Sequence, residues 1–145
     1  MNNNHHPILE TEHQFKILFA ESDRTHQMAI AHTFEKLGLS IDFVTNGITL
    51  IEVIKKQRYS HIFIDAKLWH FDMETFTHHL VESERKHRTK ITLIATTINK
   101  PPEDWNIHLF DHVLVKPFWE NDLRNCLEKS IRENDSAPIL KATSS

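Results

Sequence analysis

Five short apolar runs separated by helix-patterned segments decide what this chain can fold into. The runs are residues 15–20 (FKILFA), 41–45 (IDFVT), 61–65 (HIFID), 91–96 (ITLIAT) and 112–115 (HVLV). The first has no polar alternation, as expected of a strand buried on both faces. Between the runs, apolar residues recur at helical spacing. Residues 24–37 carry Ile30, Ala31, Phe34 and Leu37; the next segment carries Leu50, Ile51 and Ile54; the third carries Met73, Phe76 and Leu80. Residues 101–110 have room for one short helix, with Pro102 suited to its first turn. The last pattern, 119–132, is striped by Leu123, Cys126, Leu127 and Ile131. Gly38 follows Leu37 where a left-handed cap residue belongs, and Asn46 with Gly47 is a turn signal. Alternation of this kind predicts an α/β fold: a five-stranded parallel, doubly wound sheet with helices on both faces.

The 145 residues suffice for one domain, placed at 15–132, with a flexible lead at 1–14 and a flexible tail at 133–145. A formal net charge of −3 argues against a nucleic-acid surface. No apolar run is long enough to span a membrane, and the polar N-terminus lacks a secretory core. Cys126 is the only cysteine, so no internal disulfide is possible, and a reducing cytoplasm fits. Twelve histidines are scattered without ligand spacing, and most read as surface residues.

In doubly wound sheets the reactive groups lie beyond the carboxyl ends of the strands. There the sequence places Glu21, Ser22 and Asp23 after the first strand and Asp65 at the end of the third. Thr96 and Thr97 end the fourth, and Lys116 follows the fifth. Taken singly, each has a plain structural role. Asp23 suits a helix cap, Asp65 a loop start, the threonines a strand, and Lys116 a solvated turn. Taken together they bring carboxylates, a hydroxyl and an ammonium to one edge. Neighbouring carboxylates resist joint ionisation unless a cation joins them. A hard cation such as Mg²⁺ meets that need, and a lysine opposite would neutralise a phosphoryl oxygen.

These stretches resemble the receiver domain of two-component response regulators, most of all receivers attached to hybrid sensor histidine kinases. The likeness covers residues 15–132 through ILFAESDRTHQ, FEKLGLSIDFVTNG, YSHIFIDAKLWHFDM, ITLIATT and VLVKPF. It implies a flavodoxin-like receiver sheet and a phosphorelay function. It makes Asp65 the phosphoacceptor, Lys116 the phosphoryl partner, and Thr96 or Thr97 the switching hydroxyl. It implies Mg²⁺ held at Glu21, Ser22, Asp65 and the backbone carbonyl of Lys67. It implies as partners a sensor histidine kinase or histidine phosphotransfer protein and a downstream protein. The only chemistry implied is the domain's own phosphoryl transfer and dephosphorylation. The chain is expected to stand alone or to be a fragment of a larger kinase.

The departures from that pattern set a second expectation. Ser22 stands where the second acid belongs, which predicts weak Mg²⁺ binding. Bulky Trp69, His70 and Phe71 replace the usual Pro and Gly after the acceptor; Trp69 is read as a pocket cover, a partner anchor or a lid on its own core. Val113 stands at a usual aromatic position, and the span from Thr97 to Asp111 is short for a full fourth helix. These favour a pseudo-receiver, a protein-interaction module independent of phosphorylation, as the alternative. A flavodoxin-like cofactor binder would need a Gly-rich phosphate loop after the first strand, which ESDRTHQ does not supply.

Overall fold

A computed structural model describes residues 15–136, with side chains as far as Glu133. Its elements alternate as the apolar runs require: β1 (Ile17–Ala20), α1 (Arg24–Lys36), β2 (Ile41–Val44), α2 (Gly47–Lys56), β3 (His61–Asp65), α3 (Met73–His87), β4 (Thr92–Thr97), β5 (His112–Val115) and α4 (Glu120–Ser136). All strand pairs are parallel, in the order β2-β1-β3-β4-β5. β1, β3 and β4 are buried along their whole length, which is why their sequences carry almost no polar alternation.

Two cores sandwich the sheet. On one face Ile30, Phe34, Leu123 and Leu127 of α1 and α4 meet Phe19 and Phe63. There Phe19 stacks on Phe63 at 4.9 Å between ring centres, and Phe34 meets both rings edge-on. On the other face Leu50, Ile54, Phe76 and Leu80 of α2 and α3 cover Leu18, Ile62 and Ile64. Helix starts are capped by side chains: Asp23 accepts from the His26 N–H, Asn46 from Thr49 and Asp72 from Thr75. Gly38 takes φ 75° beyond α1, as its place after Leu37 suggested.

Four sequence expectations change. Ala31 is exposed, because the stripe of α1 runs through Ile30, Phe34 and Leu37. Asn46 is a helix cap rather than part of a free turn. Residues 101–110 form no α-helix, only one 3-10 turn at Ile107–Leu109. In place of a helix, Trp105 stacks on Phe110 at 5.1 Å and meets Phe71 edge-on at 5.3 Å, closing this end of the core with rings. Finally, α4 continues past Arg132 to Ser136, the last of the described residues. The lead at 1–14 and positions 137–145 of the tail lie outside the described residues.

One buried histidine ties β3 to α4. His61 is 3% exposed, with ring nitrogens 2.9 Å from Ser60 Oγ and 2.9 Å from Ser130 Oγ. Burial first, then the nearby His112, pushes its pKa down to about 4 from 6.5. The unfolded chain therefore takes up this proton below about pH 6.5, while the folded chain resists it down to about pH 4. The stability tied to His61 is complete above that window and is lost as pH falls through it. Urea unfolding at pH 7.5 and pH 5 should show the loss, with the His61→Gln variant about 2 kcal/mol less acid-sensitive than the parent.

Candidate functional site

Strand register brings the four strand ends to a single point. Glu21 follows β1, and its backbone N–H still bonds to Val44 O. Asp65 ends β3 opposite Thr96 of β4. Lys116 follows β5, its N–H bonding to Thr97 O at 2.7 Å, with a cis bond to Pro117. From there the Lys116 ammonium donates to Glu21 Oε1 at 2.6 Å and to Asp65 Oδ1 at 2.7 Å. The three side chains are 2%, 8% and 10% exposed for Glu21, Asp65 and Lys116.

This is a buried group of two carboxylates and one ammonium, with one negative charge left over. Burying charge is costly unless every lone pair finds a partner. Here the other carboxylate atoms are served by short-range donors. Glu21 Oε2 accepts from the Asp23 N–H at 3.0 Å, and Asp65 Oδ2 from the Lys67 N–H at 3.0 Å. Thr96 donates its hydroxyl to Asp65 Oδ1 at 2.9 Å.

The residues singled out in the sequence divide accordingly. Glu21, Asp65, Lys116 and Thr96 meet. Thr97 does not, because the strand alternates: its hydroxyl donates to Lys100 O at 3.0 Å in the following loop. The Lys67 side chain is exposed, and only its backbone faces the site. Asp23 caps α1, and its bond from the His26 N–H holds its carboxyl below the usual range. One site residue was missed. His26 Nδ1 lies 2.9 Å from Lys116 Nζ and 3.8 Å from Glu21 Oε2. Its signal was positional: the third residue of a helix directs its side chain back over the helix start, where the site is.

Ser22 and Trp69 lock the rim. The Ser22 hydroxyl donates to Thr45 O at 2.6 Å and accepts the Trp69 N–H at 3.0 Å. The Gly47 N–H donates to Trp69 O at 2.8 Å. One serine thus joins the loops after β1, β2 and β3. The Trp69 ring is 64% exposed, so it fills neither the site nor the core. The loop then turns at His70, φ 54°, and its backbone crosses Gly47 so closely that a Cβ there would sit 2.2 Å from His70 O.

Glu21 and Asp65 supply hard carboxylate oxygens, and the negative charge left over in the group is of the sign that a hydrated Mg²⁺ would require. Among the described residues, no group of three or more His, Cys, Asp or Glu is placed to hold a metal, so water would have to complete the shell.

No protein-family model matches the chain. Curated relatives include the hybrid signal transduction histidine kinase K of Dictyostelium discoideum, 26% identical over 124 residues. They also include the transcription factor SKN7 of Candida albicans, 28% identical over 136 residues. These matches take in 80% and 88% of this chain but only 10% and 24% of those proteins. Among solved structures, the receiver domain of the sensor histidine kinase PA1611 from Pseudomonas aeruginosa, with magnesium coordinated in its active-site cleft, aligns at a TM-score of 0.68. It is 26% identical, and the match covers 81% of this chain and 97% of that one. A two-component response regulator from Clostridium difficile shares the fold at a TM-score of 0.65. The fold is that of a receiver domain. On one side of the domain a single 3-10 turn is the only helical element between β4 and β5, and Val113 and Val115 of the edge strand are 41% and 52% exposed.

Gly47 tests the locked rim. Alanine at the first position of a helix is ordinarily favourable by up to about 1 kcal/mol. Here the crossing backbone must move, so Gly47→Ala should instead destabilise the receiver by about 1–3 kcal/mol in urea, with altered tryptophan emission.

Proposed function

We propose that this receiver accepts a phosphoryl group on Asp65 from a histidine kinase or histidine phosphotransfer protein, acting as a relay or switch module. The observation that carries this reading is the Lys116 ammonium 2.7 Å from Asp65 Oδ1, with Glu21 on its other side. A carboxylate oxygen of Asp65 attacks the phosphorus of a phosphohistidine. The new P–O bond forms as the P–N bond breaks, and the leaving imidazole keeps the electron pair. Lys116, already beside the accepting carboxylate, offers its charge to the phosphoryl oxygens. Thr96, bonded to Asp65 Oδ1 before the reaction, turns its hydroxyl to a phosphoryl oxygen afterwards. Glu21, Asp65 and the Lys67 carbonyl would hold Mg²⁺, whose charge offsets that of the phosphoryl group when bound. With Ser22 engaged to Thr45 and Trp69, and no second acid beside Glu21, that ion is held weakly.

A second reading keeps the fold and drops the switch. It is favoured by the other side of the domain, where one 3-10 turn stands in for a helix and Val113 is exposed. A module of this kind would bind a downstream protein whether or not Asp65 carries phosphate.

Intact-protein mass after incubation with acetyl phosphate and Mg²⁺ separates the two. The parent should gain the mass of one phosphate, and Asp65→Asn none. Lys116→Met should lower the rate of gain at least about a hundredfold, the scale of losing one electrostatic contact to transferring charge. A folded parent that gains nothing, from acetyl phosphate or from a histidine-phosphorylated donor, would leave the second reading.

A further inference from the structure

Lys116 gives its three ammonium protons to three acceptors, and one of them is not a carboxylate. Beside Glu21 Oε1 and Asp65 Oδ1 stands His26 Nδ1 at 2.9 Å. An ammonium only donates, so Nδ1 must be the accepting nitrogen and the ring proton sits on Nε2. No proton of Lys116 is then left over for a phosphoryl oxygen. One contact has to open before that oxygen can be received.

The imidazole is the contact that opens. The two carboxylate bonds join opposite full charges, whereas the bond to the ring joins the ammonium to a neutral acceptor, so only the first two add ion-pair attraction to the hydrogen bond. The imidazole bond is also the longest of the three. Its ring is 42% exposed, against 2% and 8% for the two acids. The ring also has somewhere to go. His26 and Lys116 both line a groove of about 600 Å³, floored by Ala29, Ile30, Phe118 and Trp119. The His26 backbone stays fixed meanwhile, because its N–H is held by the Asp23 cap at 2.9 Å.

We propose that His26 is a positioning residue that latches Lys116, so that a phosphoryl oxygen gains an ammonium proton only as the imidazole releases it. The proposal rests on the reading of Asp65 as the acceptor. It assigns His26 a restraining role: it steadies the resting site and opposes occupancy by phosphate.

Beryllium fluoride with Mg²⁺, which mounts a phosphoryl-shaped group on an aspartate, is the probe, with fluorine NMR as the readout on the full chain. His26→Ala, on a half-exposed helical position that tolerates alanine, should bind the probe about tenfold more tightly than the parent, the low end for one hydrogen bond to a charged group. His26→Asn, whose Oδ1 takes the place of Nδ1, should return the affinity toward the parent value. Equal or weaker binding by His26→Ala would overturn the latch. If neither protein takes up the probe, the acceptor reading has failed, and nitrogen NMR of the imidazole still decides the contact. An Nε2–H tautomer whose Nδ1 resonance moves in Lys116→Met supports it, and an Nδ1–H tautomer or an unmoved resonance refutes it.

Discussion

Everything at the carboxyl edge of the sheet depends on one buried ammonium shared between two acids. Glu21 and Asp65 sit on neighbouring strands, and without Lys116 their charges would oppose each other at low dielectric. The lysine joins β5 to β1 across β3 and β4. Such a group stabilises the fold little in net terms, because desolvation cancels much of the attraction. What it fixes is position. Three strand ends must arrive in register for one nitrogen to satisfy both carboxylates, and the parallel ladder delivers that register.

The loops around this group are held by an economy of small contacts. With only two glycines, the chain has few places for a left-handed turn. It spends one after α1 and the other where the His70 backbone crosses α2. His70 makes its own turn at positive φ. Ser22 then does for three loops what a bound ion does for loops that converge on it: it supplies a common atom. On the same face of the sheet as α2, stacked Trp105 and Phe110 substitute side-chain area for a helix.

Much of the fold was legible because burial on both faces leaves a simple mark. HIFID and ITLIAT could hardly be anything but inner strands, and Gly38 announced the end of α1. The site was legible as far as topology carries: Glu21, Asp65 and Lys116 follow strands, so they had to share an edge. Which of Thr96 and Thr97 faces Asp65 was not legible, since a shift of one residue reverses the face and only the β3–β4 register decides it. The partners of Ser22 lie on loops 23 and 47 residues away, and no local pattern encodes such distances. His26 was missed because a lone histidine among twelve carries no signal until the helix start is placed.

The missing fourth helix has a consequence for how the domain yields. A helix between β4 and β5 would carry its own ladder of backbone hydrogen bonds and would open as a unit. Here the crossover is held by rings and a few isolated backbone bonds, with Ile98 and Ile107 left partly in water. Segments with few protected backbone bonds open at lower free energy than the core. The crossover is thus expected to open at lower free energy than the buried ammonium and its two acids.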